Sequence, residues 1–208
     1  MQRKKAHIGL ALAITTLVVL GFIALSCGGT GSRTSGNATD PICYCTPTEE
    51  AAQEYRHAAK HVPLPNSVPQ EIDINTMLSW PVPPAPAADA PRTGRETQLF
   101  HISLAYLQNA RIFPDCDIHA ELSQTPDKNA PRVIVETPID QEYCSARHTL
   151  NHQLAQHGFT LSTISGEVSP ALAVTVLGLA FQDSEHQRGS PQVATTWELN
   201  PAVVNLVQ

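Results

Sequence analysis

Asp115, Asp117 and His119 stand at alternate positions, and Glu136, Asp183, His186 and Glu198 follow in the same half of the chain. Residues two apart on a strand project from one face. Asp117 and His119 would therefore present a carboxylate and an imidazole side by side. Carboxylates with imidazole form a donor set for a divalent metal, with Asp115, Asp117 and His119 as ligands. A hydrolase built on that metal would use Glu136 as its general base. In the other reading, Asp117, His119, Glu136, Asp183, His186 and Glu198 bond to amides and to one another and rim a binding surface. His148 and His152 lie four apart in a helical stretch, but the H-E-x-x-H pattern is missing, and a solvated face explains them. G-x-S-x-G and a phosphate-binding glycine loop are also missing, so a divalent metal is the one cofactor these residues leave room for.

The compartment decides how the cysteines read. Arg3, Lys4 and Lys5 precede an uncharged run from Ile8 to Ser26. As a helix it would span roughly 28 Å, close to the thickness of a bilayer core. The basic cluster before the run predicts a cytoplasmic N-terminus and an exported remainder. The run can serve as a signal anchor, as a cleaved secretory signal, or as a lipoprotein signal cut before Cys27. Cys43, Cys45, Cys116 and Cys144 then lie in an oxidising compartment, where structural disulfides are expected. Cys116–Cys144 is the expected bridge within the folded domain. The rival arrangement pairs Cys144 with Cys43 or Cys45.

Charge divides unevenly along the chain. Residues 1–95 carry 8 Lys/Arg against 7 Asp/Glu, whereas residues 96–208 carry 5 against 12. So acidic a half lacks the basic footprint through which nucleic acid is bound, and nucleic acid is not expected as a partner. The partners to expect are the membrane, through the N-terminal segment, and an envelope protein or glycan.

These side chains need a scaffold. Residues 1–27 form the signal segment. Residues 28–95 hold ten of the seventeen prolines and read as a flexible tether, with a short helix near 47–61 capped by Thr46 and Glu49, a short strand over Glu71–Asn75, and Met77, Leu78 and Trp80 packing on the domain as an arm. Residues 96–208 form the domain. Gln98–Ile112, Asp117–Leu122 and Arg132–Glu136 read as three strands, and Tyr143–His157 as a helix with Gly158 as its C-cap. Leu172–Phe181 and Thr195–Val207 read as two further strands. The order β-β-β-α-β-β predicts a mainly β fold with one helix, the five-stranded OB-like barrel, in preference to an unclosed β-sandwich.

Several motifs strengthen that expectation: Asp115-Cys116-Asp117-Ile118-His119, Glu136-Thr137-Pro138 with Cys144, Ala146-Arg147, Gly178 to Asp183 with His186 and Gly189, and Glu198-Leu199-Asn200-Pro201. Together they resemble a group of uncharacterised exported bacterial proteins with an OB-like domain. Asn200 departs from the group, which carries His there. The Asp-x-Asp pair is also similar to the staphylococcal-nuclease type of OB fold, in which such a pair helps hold calcium. That similarity implies phosphate-clamping arginines, and only Arg111 and Arg132 lie nearby. The expected function is a membrane-anchored extracytoplasmic binding module, with a nuclease-like metal-dependent hydrolase as the alternative.

Overall fold

Alternation of large apolar residues with polar ones builds the barrel. A computed structural model describes residues 40–184 and 189–207; the signal segment, Cys27 and His186 lie outside them. Strand β2 (Leu99–Ile112) is followed by β3 (Ile118–Ser123), β4 (Arg132–Thr137), helix α3 (Cys144–Gln156), β5 (Glu167–Gln182) and β6 (Val193–Leu206). On β3, Ile118, Ala120 and Leu122 enter the core while His119 and Glu121 face outward, and on β4 Val133 and Val135 enter it. Leu150 and Leu154, four apart on α3, join the same core.

The strand order is β2-β3-β4-β6-β5, closed by pairing of β2 with β5. Pairings are antiparallel except β4 with β6, which run parallel. Closure is possible because β2 is long enough to serve two neighbours. Its register shifts at Ile102/Ala105 and Leu107/Asn109, and bulges of this kind bend a strand and increase its twist. The result is a closed five-stranded barrel with one main helix, compatible with an OB-like fold. Helix α3 is preceded by a 3-10 turn, Gln141–Tyr143, and ends at Gly158, whose φ of 82° suits glycine in that position.

From Asp40 onward the stretch expected to be a loose tether lies against the barrel. Residues 40–98, here called the arm, bury Ile42, Cys43, Arg56, Lys60, Ile74, Met77 and Trp80. The arm contributes β1 (Gln70–Ile72), which pairs parallel to the start of β2, and the short helices α1 (His57–Lys60) and α2 (Ile74–Leu78). Its proline-rich part is pinned by side chains. Trp197 Nε1 donates to Pro81 O, Gln182 Nε2 to Pro83 O, and Tyr55 OH to Pro86 O. Trp80 packs edge-on to Trp197.

The expected helix over 47–61 is shorter. A 3-10 turn at Ala51–Gln53 and α1 are separated by Arg56, whose φ is 54°. Arg56 breaks the helix because its guanidinium is drawn into the barrel. There it pairs with Glu96 and donates to the carbonyls of Gln182 and Pro91, while its Nε donates to Ala90 O. Tertiary bonding to a buried cation overrides local propensity.

The expected Cys116–Cys144 bridge is corrected. Cys43 bonds to Cys144 and Cys45 to Cys116. The arm segment around Ile42 runs between the start of α3 and the β2–β3 turn, so each arm cysteine meets the barrel cysteine on its own side. Arg147 marks the same junction, donating to Ile42 O, Thr137 O and Cys116 O.

Candidate functional site

Outward-facing side chains of β3, β4 and β6 would ordinarily meet water. Here His119, Glu121, Arg132, Glu136, Glu198 and Asn200 are all buried, because arm and loop cover that face. At one end the cover is α1 with its flanks. Lys60 Nζ lies 3.0 Å from Glu54 Oε2, 3.4 Å from Glu136 Oε2 and 3.8 Å from Asp183 Oδ2. His61 Nδ1 is 2.7 Å from Asp140 Oδ2, and its Nε2 is 3.3 Å from Glu54 Oε1 and 3.7 Å from Asp117 Oδ2. At the other end the cover is Gly189 and Ser190, shortly before β6. Ser190 donates both its N–H and its hydroxyl to Glu121. Gly189, at φ 114°, passes so close that an added Cβ would fall 2.6 Å from Glu121 Oε1 and 3.3 Å from His119 Nε2.

Glu136 sits at the centre. One carboxylate oxygen is 2.9 Å from His119 Nδ1, and the other accepts from Asn200 Nδ2 at 2.7 Å. Phe113 packs edge-on to the His119 ring, with centroids 4.2 Å apart. A carboxylate that orients one imidazole nitrogen leaves the other free for a ligand or a proton. His119 Nε2 is buried and makes no hydrogen bond. Three further buried atoms of this face share that condition: Asp117 Oδ2, Arg132 Nε and Asn200 Oδ1. Asp117 Oδ1, by contrast, accepts from Ile139 N–H.

The protonation pattern follows from burial and from an excess of carboxylates. Burial pulls the Lys60 ammonium down, but Glu136, Glu198, Asp183 and Glu54 outweigh it and hold the pKa well above the usual lysine value. Burial likewise opposes the charged form of His61. The bond to Glu54, the Asp117 charge and Asp140 raise its pKa to about 9. Burial, reinforced by Glu136, raises Asp115 to about 6, while burial and the Asp115 charge push Asp117 well above the carboxylate range. Glu54 goes the other way. Burial would raise it, but His61 and Lys60 hold it below its usual value. This is a site in which positive charge is in short supply.

The expected site residues converge in part. Asp117, His119, Glu136, Asp183, Glu198 and Asp115 belong to one connected region. The metal set differs from the expected one. The donor atoms that close to within 4.8 Å of those of Asp115 and Asp117 belong to Glu54, while His119 turns toward Glu136. A nuclease-like clamp is not formed among the described residues. Arg132 is committed to Glu121 and Lys128 O, and Arg111 lies over the Phe113 ring. Glu54, Lys60, His61 and Asp140 escaped sequence reasoning. For Glu54, Lys60 and His61 the one sign was a set of charged residues in an otherwise alanine-rich segment, and nothing marked Asp140.

Comparison with protein-family models, with curated proteins and with solved structures finds no match.

Proposed function

We propose that this chain is a membrane-anchored, extracytoplasmic binding module whose ligand site is the acidic face of β3, β4 and β6, under the arm and the residues Gly189 and Ser190. The observation that carries the reading is the concentration of unsatisfied buried polar atoms. Asp117 Oδ2, His119 Nε2, Arg132 Nε and Asn200 Oδ1 are four of six such atoms among the described residues. Buried polar groups almost always have hydrogen-bond partners, so a face that carries several atoms without them asks for a bound species. OB barrels bind their ligands across the second and third strands and the adjoining loops, which here are β3, β4 and the loops carrying Asp115 and Asp183. The carboxylate excess selects a ligand with cationic groups, such as an amine-bearing glycan or a basic peptide of the envelope. Two disulfides suit an oxidising compartment, in keeping with the basic and apolar N-terminal segment.

Thermal unfolding of the full-length chain in detergent with EDTA, against polyamines, amino-sugar oligomers and basic peptides, tests the reading. Binding to the folded state raises the midpoint. At least one cationic ligand is expected to raise it for the wild type and not for Glu136→Gln. No shift with any of them, or equal shifts in both proteins, would contradict the proposal.

A further inference from the structure

His57 and His61 repeat the four-residue spacing of His148 and His152, and a glutamate, Glu54, stands three residues before them. Histidines four apart on a helix are neighbours. Here they are the first residue and the C-cap of α1, with ring centroids 3.9 Å apart. Arg56, at φ 54°, turns the chain between Glu54 and α1, and the Glu54 carboxylate meets both rings. His57 Nδ1 is 3.2 Å and His61 Nε2 is 3.3 Å from the same oxygen, Glu54 Oε1. The three side chains hold donor atoms that all lie within 4.8 Å of one another.

Nitrogen and oxygen ligands of a tetrahedral Zn²⁺, each about 2.0–2.2 Å from the ion, lie about 3.3–3.5 Å from one another. Both histidine-to-Glu54 distances sit at that edge length. The groups behind the three donors form an outer shell. His61 Nδ1 is 2.7 Å from Asp140 Oδ2. A carboxylate in that position takes the Nδ1 proton and leaves Nε2, the nitrogen facing Glu54, as a lone-pair donor. Neutral His61 would then aim a lone pair at a carboxylate oxygen, a repulsion that a proton or a metal ion on Nε2 removes. Lys60 Nζ donates to Glu54 Oε2 at 3.0 Å, which leaves Oε1 to the histidines. His148 has no such setting. The further donors gathered around it are the sulfurs of Cys43 and Cys144, which are spent on their disulfide.

We propose that Glu54, His57 and His61 form a site for a borderline divalent cation of the Zn²⁺ kind, with Asp140 and Lys60 as outer partners. Two imidazoles and a carboxylate are a zinc donor set, and three protein ligands leave a fourth position for water or a bound group. The three side chains are half-buried. Glu54 and His57 also line a groove of about 580 Å³ between α1 and residues 88–92, so the site is reachable from outside. On binding, the ion replaces the proton that His61 Nε2 shares with Glu54, and that proton leaves to solvent. The proposal does not depend on the cationic ligand, whose test is run in EDTA, so either can fail alone.

The probes are Zn²⁺, titrated against a competing chromophoric chelator into the full-length, untagged, metal-stripped chain, and Co²⁺, whose visible absorption reports four-coordinate ligation. One ion per chain is expected. Asp140→Asn keeps all three ligands and should weaken Zn²⁺ binding by about 10–100-fold, the usual cost of losing an outer partner. His57→Ala removes a ligand and should weaken it further. That variant carries the test because the His57 side chain is 43 % exposed and its loss opens no core. Glu54→Gln is the second ligand variant, with disulfide mapping as the check on folding. His148→Ala should bind as the wild type does. Failure of the wild type to take Zn²⁺ from the chelator overturns the proposal. So does uptake that His57→Ala and Glu54→Gln leave unchanged, or that His148→Ala abolishes.

Discussion

Arg147 has no exposed surface, and its guanidinium donates to the carbonyls of Ile42, Thr137 and Cys116. Burial lowers its pKa to about 10 despite Asp117 and Asp115, so it remains charged at neutral pH. Arg147→Met would leave three buried carbonyls without donors, at about 1–3 kcal/mol for each group. We expect a loss of at least about 3 kcal/mol in denaturant unfolding. Arg147→Lys should recover little, because an ammonium cannot reproduce the planar fork. The Arg56–Glu96 pair makes a second prediction. Burial would raise Glu96, but bonds from Arg56, Gln182 N–H and Thr93 N–H hold its pKa below the usual value. Its contribution is therefore full above the unfolded-state pKa of 4.5 and fades as pH falls through the lower folded-state value. Stability measured from pH 7 down to about 3 should show this acid-side loss in the wild type, and a shallower loss in Glu96→Gln. At neutral pH the variant should be about 3 kcal/mol less stable, because Arg56 stays buried without its anion.

At the scale of elements, what was legible in the sequence follows from where each stabilising contact lies. Strand β3 was legible because Ile118, Ala120 and Leu122 alternate with His119 and Glu121, a pattern local in sequence. Helix α3 was legible from Leu150, Leu154 and Gly158 for the same reason. The arm was not. Its helix former Thr46-Pro47-Thr48-Glu49 gave a local signal, but its fate is decided by Arg56 reaching Glu96 and Gln182 far along the chain. The disulfides were misread for the same cause, since a stretch taken as detached could not be placed between Cys116 and Cys144. Within the site, the carboxylates and imidazole on β3, β4 and β6 were found, whereas their partners Glu54, Lys60 and His61 were missed because they sit on the arm. The arm's attachment is testable. Cys45→Ser with Cys116→Ser should lower stability by about 2–4 kcal/mol, and limited proteolysis should then cut first within residues 46–62. The Cys43–Cys144 bridge should still be recovered by non-reducing peptide mapping.

At the scale of the whole molecule, an acidic barrel wears part of its own chain over the outer face of β3, β4 and β6, the face proposed to take the ligand. Among the described residues no helix is long and apolar enough to cross a membrane, and the proposed anchor is the segment before Cys27. The arm carries Glu54, His57 and His61 to the edge of the proposed site. His57 is the position from which to ask the question, since its side chain is 43 % exposed and lies 3.2 Å from Glu54. The most direct measurement replaces His57 with a photo-crosslinking residue in the full-length chain and irradiates intact cells. The account predicts one discrete adduct with an envelope component bearing cationic groups, lost when Glu136→Gln is added. No adduct, or the same adduct with Glu136→Gln in place, would contradict it.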